Sequence, residues 1–142
     1  MAAPRKPQSE IRMIIDTSAL ICILLGEPEA QQFAHRLAAI DADHAMSAAT
    51  WFETMLVITG RRGDAGRRNL IELLEFGRVT VLPVDAQAAQ IAYQAWLDFG
   101  KGRHPAGLNF GDCFSYALAK ERAEPLLFKG DDFSKTDVLA AL

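Results

Sequence analysis

The stretch that most constrains this chain is Ile11-Arg12-Met13-Ile14-Ile15, an apolar run that ends on Asp16-Thr17-Ser18. It is rich in β-branched residues, too short for a helix, and nearly continuous rather than alternating. Those traits fit a strand covered on both faces, as the central strands of a parallel sheet are. Open α/β sheets bind ligands beyond the carboxyl ends of their strands, where Asp16 would stand. Asp, Thr and Ser are also good helix N-caps, so capping alone is a second reading of Asp16. Acids elsewhere in the chain must decide between the two.

Thr17 to Leu25 reads as a buried helix stopped by Gly26, and Ala30, Phe33, Ala34, Leu37 and Ile40 recur at helical spacing to form the apolar stripe of a second helix. Asp41 to His44 reads as a loop and Ala45-Met46 as a very short strand. Ser47 then caps a helix running to about Thr59. Its residues Trp51, Phe52, Met55, Leu56, Val57 and Ile58 predict that this helix is mostly buried. Gly60 to Gly66 reads as a turn before a further helix that ends at Gly77. A strand over Val79 to Val84, a helix capped by Asp85, a glycine-rich basic loop, a helix opened by Asp112 and a short strand over Leu126 to Phe128 complete the order. Thr136 to Leu142 is expected to close the sheet as a short strand or helix. This alternation predicts an α/β fold with a central, mainly parallel β-sheet flanked by α-helices.

At 142 residues the chain suits a single domain over 11–142, preceded by a polar tail over 1–10 that carries two prolines and is expected to be flexible. A net charge of −3 gives no global attraction to nucleic acid, so such binding would need a local basic patch. Cys22 and Cys113 are too few and too far apart for a zinc set or a disulfide framework, and a reducing cytoplasm is the simplest setting. The longest apolar run, Ala19 to Leu25, falls well short of the roughly 20 residues that span a bilayer. Arg61, Arg62, Arg67 and Arg68 form either a solvated charged face or a patch for phosphate or an acidic partner.

Four acidic positions remain: Asp16 after the first strand, Glu53 inside an apolar helix, Asp112 opening a helix, and Asp131 or Asp132 after the last core strand. Carboxylates brought together raise one another's pKa, and a divalent cation is the usual remedy. Oxygen ligands point to Mg²⁺ or Mn²⁺ rather than zinc. Such a site suits in-line hydrolysis of a phosphodiester. Lys101, Arg103 and His104, in the loop before Asp112, are candidates for holding a phosphate-bearing substrate.

The segments Ile14-Ile15-Asp16-Thr17-Ser18-Ala19, the helical Glu53, Gly107 to Ala117 and Leu126 to Phe133 together resemble a PIN-domain ribonuclease of the VapC toxin type. The likeness covers nearly the whole chain after the tail. It implies a PIN-like α/β domain, Mg²⁺-dependent endoribonuclease activity with Mn²⁺ as an alternative ion, RNA of the tRNA or rRNA class as substrate, a homodimer, and inhibition by a cognate VapB antitoxin. By motif, Asp16 and Asp112 match the family's metal-binding aspartates and Glu53 its helical glutamate. Asp132 is the favoured fourth acid and Asp131 its rival. Thr17 or Ser18 would support a carboxylate or a water.

Two other readings compete. A phosphatase using Asp16 as nucleophile would want a second aspartate two residues on, where Ser18 stands. A catalytically silent RNA- or protein-binding module would use the basic loops, but it gains nothing by pointing carboxylates at phosphate.

Overall fold

The computed structural model describes residues 11–39 and 42–142. The expected tail over 1–10 lies outside the described residues, as do Ile40 and Asp41. Four strands, β1 (Ile11–Ile15), β2 (Asp43–Ser47), β3 (Val79–Leu82) and β4 (Leu126–Leu127), form one sheet in the order β3-β2-β1-β4. All three pairings are parallel. Helices α1 (Thr17–Leu24), α2 (Ala30–Leu37), α3 (Ala48–Phe76), α4 (Ala86–Phe99) and α5 (Phe110–Arg122) connect and cover the strands. The α/β architecture expected from the sequence is therefore present.

β1 is central because both of its faces are apolar. Met13 and Ile15 pack with Leu20, Leu37, Ile58 and Leu70 from the α1, α2 and α3 side. Ile14 packs with Ala92, Leu108, Tyr116 and Ala117 from the α4 and α5 side. Ile11 joins the same face as Ile14 despite the odd spacing, because the pairing with β2 shifts register between Ile11 and Met13. The chain leaves β1 towards β2 and β3 on one side, and β4 returns on the other. The crevice between the carboxyl ends of β1 and β4 is the topological switch point at which such sheets hold ligands.

Three expectations are corrected. Asp43 and His44 belong to β2, which is longer than the Ala45-Met46 strand foreseen, because the whole segment pairs with β1 and β3 in the sheet. The turn over Gly60 to Gly66 shrinks to one residue. Gly63 alone leaves helical geometry, at φ 62°, a conformation that glycine adopts without a Cβ penalty, and α3 continues on either side. Nor is the first half of α3 mostly buried. Phe52 and Leu56 are 58% and 60% exposed, because only Thr50, Thr54 and Ile58 turn inward at helical spacing. The segment after Thr136 contributes a single bridge, Ala140 beside Leu126, and so closes the sheet only in part.

His44 is a polar residue wholly buried in β2. Its Nε2 lies 3.1 Å from the Leu37 carbonyl, which can only accept, so Nε2 carries the proton. Nδ1 then has no partner among the described residues. Burial foremost, then Arg36 and Arg78, hold its pKa below the usual histidine value against the opposing pull of the Leu37 carbonyl and Asp43. An unfolded histidine takes up a proton near pH 6.5 that the folded protein refuses, so stability drains away as pH falls below that value. Urea midpoints measured at pH 7.5 and 5.5 should show this loss for the parent, and a smaller loss for His44→Gln. Equal losses would remove His44 from the account.

Candidate active site

Asp16 is 3% exposed. Its backbone N–H donates to the Leu127 carbonyl at 3.0 Å, fixing it beside the end of β4. Both readings of this residue hold at once. Oδ2 accepts from the Ser18 backbone N–H at 3.0 Å, capping α1, and from Ser18 Oγ at 2.7 Å. Oδ1 accepts from Ser115 Oγ of α5 at 2.5 Å. Ser18 Oγ in turn accepts from the Lys129 backbone N–H at 2.9 Å. The Lys129 ammonium pairs with Glu27 at 2.7 Å and Glu29 at 3.1 Å, tying the segment after β4 to the corner between α1 and α2.

Glu53 lies two turns into α3 and is half-buried, with Oε1 accepting from Thr17 Oγ1 at 2.7 Å. Burial raises its pKa, with the Asp16 charge adding to the rise and the Thr17 bond opposing it. The carboxylate rests against the first turn of α5. A Cβ on Gly111 would meet both Glu53 oxygens, with Cδ 2.6 Å away, so glycine is what lets the two elements approach.

Asp112 is the third residue of α5 and forms a capping box with Asn109. The Asn109 N–H donates to Asp112 Oδ2 at 3.0 Å, and the Asp112 N–H donates to Asn109 Oδ1 at 2.9 Å. Its pKa is nevertheless pushed up to about 7. Burial is the main cause, the charges of Asp16, Glu53 and Asp132 add to it, and the Asn109 bond pulls the other way. Asp132 is exposed and heads the short helical turn Phe133–Lys135, without capping it through its side chain. Asp131 is also exposed, and its carbonyl accepts from Ser134 Oγ at 2.6 Å.

Asp16, Glu53 and Asp112 are thus near enough to feel one another's charge, and Asp132 is near enough to be felt by Asp112. Thr17 and Ser18 serve different carboxylates. Among the described residues, no three acids, histidines or cysteines stand close enough to form a ready-made ligand set. Sequence reasoning missed Thr50, Thr54 and Ser115, all wholly buried. Thr50 precedes Glu53 by three residues, Ser115 follows Asp112 by three, and Thr54 is the next residue after Glu53. A search for hydroxyls one turn from each acid would have found Thr50 and Ser115 but not Thr54. The basic loop is mixed in character. Arg103 lies over the Trp96 ring at 5.0 Å, and Lys101 is exposed. His104 turns back, its Nδ1 accepting from the Ala106 N–H at 3.0 Å while its ring meets Phe99 edge-on.

The profile of the PIN-domain family matches residues 13–139. Ribonuclease VapC30 of Mycobacterium tuberculosis is 51% identical over 128 residues, covering 89% of this chain and 95% of that protein. The chain belongs to the VapC family of PIN domains. The PIN fold is also seen in the crystal structure of Mycobacterium tuberculosis VapC20, described as a Sarcin-Ricin loop cleaving toxin. It superposes with a TM-score of 0.73 at 19% identity, covering 89% of this chain and 96% of that one. VapBC2 from Rickettsia felis, bound to a DNA fragment from the promoter, superposes at 0.72 with 12% identity, covering 92% and 96%. At those identities the two structures speak for the fold alone.

In this PIN domain, convergence of the acids is measurable without any activity. The Asp112 carboxyl carbon should titrate near pH 7 by NMR in metal-free protein, and Asp16→Asn should lower that midpoint by removing a neighbouring negative charge. A midpoint in the ordinary aspartate range, or one insensitive to Asp16, would place the two residues in separate environments.

Proposed function

We propose that this protein is a Mg²⁺-dependent endoribonuclease toxin of a type II toxin–antitoxin pair. The carrying observation is the crevice at the β1/β4 switch point, where the Asp112 pKa is raised to about 7 by burial together with the charges of three other carboxylates. Relatives at about half identity bear the name ribonuclease, which supports the same reading.

The donor set fits a hard divalent ion. It is all oxygen, and the charge repulsion that adds to burial in raising Glu53 and Asp112 is what a cation relieves. Asp16 and Asp112 would hold the ion, Glu53 and Asp132 would complete the acidic ring, and Asp131 is the alternative for the fourth place. Mn²⁺ would serve as well. When bound, the ion supplies charge neutralisation and Lewis acidity at the phosphodiester and lowers the pKa of attacking water. The chain's own residues do the rest. Asp16 is held on both oxygens by Ser115 and Ser18, so its direction is set before any ligand arrives. Glu53, kept half-buried with a raised pKa, is suited to take a proton from water as the phosphodiester is attacked. Lys101 and Arg103, in the loop that leads into Asp112, would meet the RNA backbone. His104 completes the loop chiefly by its inward contacts.

Partners are part of the proposal. Tyr93, Trp96, Phe110, Cys113 and Phe114 border a cavity of about 340 Å³ between α4 and α5, and Phe110 is 81% exposed. Apolar surface also continues on α3 at Phe52, Leu56 and Phe76. Such surface on a small domain marks interaction sites, consistent with a homodimer and with a VapB-type antitoxin that inhibits the nuclease. The substrate is RNA of the tRNA or rRNA class. Among the described residues no helix is long and apolar enough to cross a membrane, and the setting proposed is the cytoplasm.

Purified protein should cut RNA in Mg²⁺ or Mn²⁺ and stop in EDTA. Asp16→Asn and Asp112→Asn should lower the rate by about two orders of magnitude or more. Because an ion must displace the Asp112 proton, apparent Mg²⁺ affinity should rise as pH climbs from 6 to 8. RNA binding without cleavage would leave the silent binding module as the better description. Gly111→Ala probes the crevice from the side. It should cut rate far more than melting temperature, since its Cβ displaces Glu53, and equal rates for variant and parent would remove Glu53 from the reaction.

A further inference from the structure

Two of the site's carboxylates are backed by chains of buried hydroxyls that meet on one residue of α3, and we infer that Thr50 is a positioning residue for Asp16, acting through Ser115. Thr50, Thr54 and Ser115 are all 0% exposed. Ser115 Oγ lies 2.5 Å from Asp16 Oδ1 and 3.1 Å from Thr50 Oγ1. Each hydroxyl has one proton to give. A carboxylate only accepts, so the Ser115 proton goes to Asp16, and the Thr50 proton must therefore go to Ser115. The direction of the chain is fixed, from Thr50 to Ser115 to Asp16.

A threonine inside a helix commonly turns its proton back onto the carbonyl four residues earlier. Thr54 Oγ1 lies 2.8 Å from the Thr50 carbonyl and 2.8 Å from Thr17 Oγ1, and because the Thr17 proton goes to Glu53, the Thr54 proton is shared between those two acceptors. Thr50 instead spends its proton across the helix interface, on α5. Its carbonyl serves the other carboxylate's support. Thr17 Oγ1, bonded to Glu53, lies 2.8 Å from Thr54 Oγ1 and 3.3 Å from the Thr50 carbonyl. One residue thus ties α1, α3 and α5 together behind both acids.

The consequence for Asp16 is directional. Oδ2 is already held by Ser18, so the orientation of the carboxylate plane depends on Ser115 at Oδ1. A serine hydroxyl alone can swing among rotamers, whereas one that also receives a bond from Thr50 is held in the rotamer that points at Asp16. Bonds in series also polarise one another in a dry interior. The effect on catalysis rests on the nuclease reading above, but the orientation itself exists without a metal ion.

Thr50→Val keeps the side-chain shape and removes the proton, and Thr50→Ser restores it. In metal-free protein, Thr50→Val should move the Asp16 carboxyl carbon resonance and Thr50→Ser should leave it near the parent position. Calorimetric titration with Mn²⁺ should show several-fold weaker binding for Thr50→Val and about tenfold weaker binding for Ser115→Ala, with Thr50→Ser close to the parent. RNA cleavage by Thr50→Val should lose kcat with KM little changed. An unmoved Asp16 resonance in Thr50→Val, or a Thr50→Ser protein as impaired as Thr50→Val, would overturn the relay. Should Thr50→Val fail to fold, the same resonance in Ser115→Ala decides the matter. A parent that binds no Mn²⁺ would sink the nuclease reading, while the Asp16 resonance would still decide the relay.

Discussion

Everything at the working end of this protein follows from holding negative charges together in a half-buried crevice. Like charges there repel, and burial strengthens the repulsion by removing water. The structure answers with donors on the back edges of the acids. Asp16 takes three hydrogen bonds, two from Ser18 and one from Ser115. Glu53 takes one from Thr17, and Asp112 takes one from the Asn109 backbone. Support is therefore uneven, and Glu53 and Asp112, with one donor each, have raised pKa values, burial being the first cause of both. A folded state carrying such groups loses stability as pH climbs from the ordinary carboxylate range through their raised values, because the unfolded chain ionises there at lower cost.

The elements of the fold were legible because period and punctuation agree. The apolar run before Asp16, the Gly77 stop and the Asp85 cap each mark boundaries that the sheet and helices respect. Misreadings arose where one residue type serves two roles. Glycines 60, 63 and 66 look like a turn, yet only Gly63 takes a left-handed conformation. Gly66 packs so closely that a Cβ there would lie 2.6 Å from the Arg62 side chain and 2.9 Å from the Ile58 carbonyl. Trp51, Phe52 and Leu56 look like core because hydropathy does not distinguish a core face from an exposed one. His44 was placed in a loop because a lone histidine seldom announces a central strand.

The acids were legible for a different reason. Their positions follow strand ends and helix starts, and topology brings those together without any need to know side-chain contacts. What the sequence could not show is which hydroxyl serves which acid. Thr17 and Ser18 are adjacent, yet the first turn of α1 sends one to Glu53 and the other to Asp16. Ser115 meets Asp16 across 99 residues of chain, although it is only three residues from Asp112. Long-range pairing of this kind is decided by packing between α3, α5 and β1, and local pattern carries no trace of it.

Asp112 shows how function and folding share a residue. Its Oδ2 closes the capping box that starts α5, an interaction of the kind worth about 1 kcal/mol to a helix terminus. The same carboxylate is raised towards neutrality, by burial first and then by the charges of Asp16, Glu53 and Asp132. A neutral acid is a weaker acceptor for the Asn109 N–H, and it also forgoes the attraction of an anion for the helix N-terminus. Burial and repulsion among the acids therefore weaken the start of α5. Because α5 also carries Ser115, tightening its first turns steadies the donor that orients Asp16. The charge on Asp112 and order in α5 are thereby coupled through a single side chain.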